Sequence, residues 1–179
     1  MIGGCSMMGL VVGTATLFLA ATLADAGELD VRAELDSYNL MIPKPSYCCA
    51  FRLHLDPAGR VELELEVPDP DLLSATQREA FAASKETIAG IRSAIESARF
   101  FDLPPHIDGI TGFHPDRRSI EIRLGERSHR VVLTLMPGQS CEAESEWGVA
   151  DEDKDRIRRA CSVWRQIRAL VTHPQAVVP

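Results

Sequence analysis

Two alternating runs joined by a tight turn restrict this chain more than any other feature of its sequence. From Cys49 to Asp56, Cys49, Phe51, Leu53 and Leu55 fall on one side, with Ala50, Arg52, His54 and Asp56 on the other. Val61, Leu63, Leu65 and Val67 then alternate with Glu62, Glu64 and Glu66. A period of two with one apolar side is the signature of a half-buried strand. Between the runs, "DPAGR" places Pro57 at the second position of a type I turn and Gly59 where a left-handed residue closes a bulge, so the two runs form a hairpin. Pairing Asp56 with Arg60 puts Leu55 opposite Val61, Leu53 opposite Leu63 and Phe51 opposite Leu65. The same register sets His54 against Glu62 and Arg52 against Glu64 on the outer side. Both faces are chemically matched, as a one-residue slip would not allow.

A helix is expected next. Ser74 and Gln77 have capping-box spacing, and Phe81, Ser84, Ile88, Ile91, Ile95 and Ala98 follow at steps of three and four, up to about Phe100. Pro104 and Pro105 prevent continuation. Gly90, unfavourable in a helix interior, suggests a close approach of this helix to the sheet. A second hairpin follows, with Ile120, Ile122 and Leu124 facing Val131, Leu133 and Leu135; two placements of its turn near Gly125 keep the same parity. The span 151–172 completes the pattern as a helix burying Ile157, Ala160, Cys161, Trp164, Ile167 and Val171. The expected fold is α+β: a four-stranded antiparallel sheet of two hairpins with two helices on one face, in the order ββα-ββα. Residues 27–47, with Pro43 and Pro45 and no clear period, read as an extended lead-in to a single domain over 48–179.

The apolar run "MMGLVVGTATLFLAATLA" followed by Ala24-Asp25-Ala26 has the form of a cleaved signal peptide over residues 1–26, which predicts a periplasmic or secreted protein. Its start carries no basic residue, and retention as a membrane anchor is the alternative; only then would the membrane be a partner. The net charge of −7 argues against nucleic acid as a partner.

"DPAGRVELE", together with a helix ending "IESARFFDLP", resembles a group of small exported bacterial domains of uncharacterised function. "YCCAF" departs from the Cys-Pro-x-Tyr type of start associated with that group. The resemblance covers about half the mature chain and implies export without implying an activity.

No nucleophile elbow, phosphate loop or dinucleotide fingerprint occurs, and no cofactor is implied. The segment "PPHIDGITGFHPDRR" holds two His-x-Asp pairs, His106 with Asp108 and His114 with Asp116. Imidazole and carboxylate are competent zinc ligands, which gives a small metal-dependent hydrolase as the second functional reading. The same residues read more simply as turn chemistry, through Asp-Gly and His-Pro, and the spacing matches no metal motif. The first reading is a non-enzymatic exported module that binds a protein or envelope component. Its candidate surface is the open sheet face, with Arg52, His54, Glu62 and Glu64, together with Trp147 in the acidic loop "SCEAESEWG". In an oxidising compartment, Cys48, Cys49, Cys141 and Cys161 suggest two disulfides. Strand parity sends Cys49 to the core side, toward Cys161 on the last helix, and leaves Cys48 for Cys141. A slip at the strand end exchanges those partners, and four free buried thiols are a further alternative.

Overall fold

The computed structural model describes residues 28–36, 50–67, 75–109, 116–135, 141 and 149–172. Among these residues seven strands form one sheet: β1 (Leu29–Asp36), β2 (Phe51–Leu55), β3 (Arg60–Val67), β4 (Ala75–Ala82), β5 (His106–Asp108), β6 (Asp116–Leu124) and β7 (Arg127–Leu135). Their spatial order is β4-β3-β2-β1-β6-β7-β5. Every pairing is antiparallel except that of β5 with β7, which is parallel. Two α-helices, α1 (Lys85–Ser97) and α2 (Asp151–Thr172), and a 3-10 turn at Phe100–Asp102 complete the described fold. The expected four-stranded antiparallel sheet is therefore corrected to a seven-stranded mixed one, while the broad class remains α+β.

The β2–β3 hairpin has the register derived from its turn, with Leu53 opposite Leu63 and Arg52 opposite Glu64. Gly59 adopts φ +84°, and its N–H donates to the Asp56 carbonyl at 2.9 Å while the Asp56 carboxylate accepts from the Arg60 N–H at 2.8 Å. In the second hairpin Leu124 pairs with Arg127, so the turn is the two residues Gly125 and Glu126.

Three strands lie outside the expected plan, each for a different reason. β1 comes from the supposed lead-in and sits at the centre of the sheet, between β2 and β6. Its Leu29, Val31 and Ala33 are buried, and Asp30, Arg32 and Glu34 face the other way. β4 occupies the beginning of the expected first helix. Its backbone satisfies the N–H and C=O groups of β3 that point away from β2, groups that would otherwise lack protein partners, with Phe81 opposite Val61. The helix starts ten residues later than Ser74, where Ser84 is the N-cap and its hydroxyl accepts from the Thr87 N–H at 3.1 Å. β5 is a three-residue strand inside the supposed loop, held by the burial of Ile107 beside Leu133.

The core lies on one side of the sheet. Odd-numbered residues of β1–β3 meet Ile120 and Ile122 of β6 and Val131, Leu133 and Leu135 of β7 beneath α2. The Trp164 ring stacks on Phe51 with centroids 5.4 Å apart. α1 packs against α2 at Gly90, where an added Cβ would come within 3.1 Å of the Gln166 side chain. The close approach expected at Gly90 is thus made to a helix and not to the sheet. α1 ends at Ser97 with Ala98 as its C-cap, and the next residue, Arg99, turns the chain with a left-handed φ of 47°. There Arg159 of α2 donates from Nε to the Ala98 carbonyl at 2.6 Å and from Nη2 to the Arg99 carbonyl at 3.0 Å. α1 has no basic residue of its own in the last turn, and this guanidinium supplies the cation that a helix C-terminus favours.

Cys141 and Cys161 form a disulfide, with Cα atoms 5.1 Å apart. This corrects the pairing of Cys49 with Cys161 and of Cys48 with Cys141. Cys161 does face the core on α2, but its partner comes from the segment after β7. Cys48 and Cys49 lie outside the described residues, as does the proposed signal peptide.

Candidate functional site: the open face of the sheet

The strand parity that buries the apolar side chains turns a charged set to the opposite face. β1 contributes Asp30, Arg32 and Glu34, β2 Arg52 and His54, β3 Glu62 and Glu64, and β4 Arg78. Ser119 and Glu121 of β6 and Arg130 of β7 extend the same face. Most of these residues line a concavity of about 630 Å³. The right-handed twist of the strands curls a wide sheet in this way when helices fill only one side.

Cross-strand pairing organises the charges. One rung runs over four adjacent strands in the order Arg78, Glu64, Arg52, Glu34. The contacts along it are Arg78 Nε to Glu64 at 3.3 Å, Arg52 Nη1 to Glu64 at 3.6 Å and Arg52 Nε to Glu34 at 3.1 Å. The Glu34 hydrogen bond and charge, reinforced by Glu64 and Glu66, raise the Arg52 guanidinium above its ordinary value and keep it charged. A second cluster gathers on the Asp30 carboxylate, with His54 Nε2 and Arg123 Nη2 each at 3.5 Å and Arg32 Nε at 3.8 Å. Beyond it, Arg130 Nε donates to the Ser119 hydroxyl at 2.9 Å. The side chains of Arg52 and Arg78 remain 67% and 78% exposed despite their ion pairs. They can contact a partner without first being released from the interior.

Four of the expected surface residues, Arg52, His54, Glu62 and Glu64, do lie together on this face. Trp147 lies outside the described residues. The sequence reading missed Asp30, Arg32 and Glu34, although the alternation of "LDVRAELD" carries them, and it placed Arg78 on a helix.

The His-x-Asp segment is divided by the sheet. His106 and Asp108 pair with Val132 and Thr134 on the open-face side at the β5 edge, and both are exposed. Asp116 pairs with Leu135 on the core side, where its carboxylate is 3.7 Å from Nη2 of the buried Arg118. Burial lowers the Arg118 guanidinium from its ordinary value, with Asp116 opposing that shift and Arg168 adding to it. His114 lies outside the described residues. Asp116 therefore faces away from His106 and Asp108, and among the described residues no three His, Cys, Asp or Glu side chains gather as a metal site would require.

Hydrogen bonding and charge pairing are what this face offers. Ser119, the hydroxyl at its floor, accepts from a guanidinium, which does not activate it as a nucleophile in the way a neighbouring base would. The chain matches no protein-family model, and no curated protein is significantly similar to it.

Proposed function

We propose that this is an exported, non-enzymatic binding module whose open sheet face docks a protein of the envelope or the extracellular space. The observation that carries the reading is the four-strand charge rung on a concave face whose Arg52 and Arg78 side chains stay exposed. Arginine is enriched at protein interfaces, where its planar donors engage carboxylates bidentately. A face with both charges fixed in rows selects a partner of complementary pattern, because a misplaced charge finds a like charge opposite. Export is supported by the Ala24-Asp25-Ala26 pattern and by the Cys141–Cys161 bond, a linkage that persists in oxidising compartments.

Site-specific photo-crosslinking in the native cell tests the surface. A photoreactive residue in place of Arg52 should yield a discrete protein adduct. One in place of Asp155, exposed on α2, should not. Replacing Arg32 and Arg130 by Glu should remove the Arg52 adduct while the protein stays folded. Adducts equal at both positions, or stoichiometric zinc in the purified protein, would overturn the reading. Intact mass beginning at Gly27 would establish export with cleavage, and a mass retaining residues 1–26 would reverse it.

A further inference from the structure

β4 is the last strand at its end of the sheet, and among the described residues no strand lies beyond it. Its residues 76–80 are exposed without a break, including Gln77 and Glu79, whose side chains lie on the core side opposite Leu65 and Leu63. The direction of its backbone groups follows from one bond. The Ala83 N–H donates to the Gly59 carbonyl at 2.8 Å, and antiparallel ladders alternate between bonded and non-bonded pairs. Ala75, Gln77, Glu79 and Phe81 therefore direct their N–H and C=O groups to β3. Thr76, Arg78, Ala80 and Ala82 direct theirs outward, along an edge that no strand pairs among the described residues and that can template another strand.

We propose that this edge accepts an extended segment of another protein as an antiparallel eighth strand, with an acidic residue opposite Arg78 and a basic one opposite Glu79. The charge rung Glu34, Arg52, Glu64, Arg78 alternates in sign at each strand and ends at the edge on a guanidinium. A carboxylate is the next member of that series. On the other side of the strand Glu79 calls for the opposite sign. In antiparallel pairing these two demands fix the order basic-acidic, from N- to C-terminus, in the incoming segment.

A second copy of this chain fits poorly. The two self-pairings that overlap most of β4 place Arg78 on Arg78 or Glu79 on Glu79, and like charges directly opposite are destabilising. Shifting further to avoid this leaves only residues 75–79 or 78–82 in the overlap. The same two charges that specify a partner thus protect the edge from self-association. The strand addition itself stands apart from the open-face reading, because it depends on backbone groups at the rim of the sheet; the preferred charge opposite Arg78 shares its rung with that face.

The probe is a capped peptide, Thr-Val-Thr-Lys-Glu-Thr-Thr, titrated against the full folded chain. Binding is expected below about 1 mM. Reversing Lys-Glu to Glu-Lys should weaken it about tenfold, two cross-strand charge pairs being exchanged for two repulsions. The double variant Arg78→Glu, Glu79→Lys should invert that preference. N-methylation of the peptide Glu, whose N–H points to β4 in this register, should abolish binding. N-methylation of the Lys, whose N–H points away, should leave it. Arg165→Ala, on the exposed side of α2 and away from the edge, should not alter affinity more than about twofold. No binding at 1 mM, indifference to charge order, or equal loss from both methylations would overturn the proposal. So would a concentration-dependent dimer dispersed by Ala80→Pro.

Discussion

β1 and β4 are strands of the same length in the same sheet, and each mixes charged with apolar residues. β1, "LDVRAELD", is flanked by β2 and β6 and buries Leu29, Val31 and Ala33. β4, "ATQREAFA", is flanked among the described residues by β3 alone, and within it only Ala75 and Phe81 escape full exposure. The first has a period of two and two neighbours to bond. The second carries the composition and spacing of a helix, and is a strand because the outward groups of β3 need partners. The contrast shows that a central strand is specified by its own side chains and an edge strand by its neighbour's backbone.

Proline gives the strongest way to break the comparison. Ala33→Pro removes a donor from a strand bonded on both sides and puts a ring into the core, so the protein should fail to fold under conditions where the wild type is native. Ala80→Pro removes a donor that points outward, and should cost under about 1 kcal/mol in urea denaturation. Equal losses would show that the edge of β4 is covered in the folded protein.

Removing the disulfide sharpens the comparison by asking whether the two strands unfold together. Replacing Cys141 and Cys161 by Ser, at a sequence separation of 20, should lower stability by about 3 kcal/mol in the chain-entropy account. Amide exchange should then quicken in β1 and β4 alike if the sheet is one cooperative unit. Faster exchange confined to β6 and β7 would divide it in two.

Arg159→Ala should cost about 1.5 to 3 kcal/mol, through two charge-assisted hydrogen bonds to the end of α1. The loss should appear first in α1, which follows β4, and leave β1 protected. Arg159→Lys should recover only part of it, having no planar fork to reach both carbonyls.

The smallest effect concerns the start of α1. The Glu86 carboxyl is lowered from its ordinary value by its own backbone N–H and then by the Ser84 hydroxyl. Its contribution is therefore present above the unfolded-state carboxylate pKa and is lost as pH falls through the folded-state value. Glu86→Gln should remove that component from the acid limb of the stability profile, with no change near neutral pH in the order of the β1 and β4 effects. Because Glu86 is fully exposed, the change should be close to the limit of detection.

Legibility followed the distance over which each decision is made. The β2–β3 register could be read because a five-residue turn and two matched faces are local, and the buried side of α2 could be read from its spacing. β1 alternates as clearly over its eight residues, but it lies within a longer segment that contains Pro43 and Pro45 and has no period as a whole. On the open face, Arg52, His54, Glu62 and Glu64 followed from the hairpin. Asp30, Arg32 and Glu34 waited on recognising β1, and Arg78 on the strand that replaced a helix.

The disulfide shows the same boundary. Parity correctly turned Cys161 toward the core, but the choice of Cys141 as its partner depends on where the chain after β7 passes, a distance no periodicity encodes. Sequence established the two hairpins, the amphipathic second helix and the charges that the first hairpin turns to the open face, because side-chain alternation and turn chemistry act within a few residues. Folding in three dimensions settled the central position of β1, the strand state of β4 and the partner of Cys161. Those outcomes depend on backbone bonds and contacts between segments far apart in the chain, whose energies exceed local propensity.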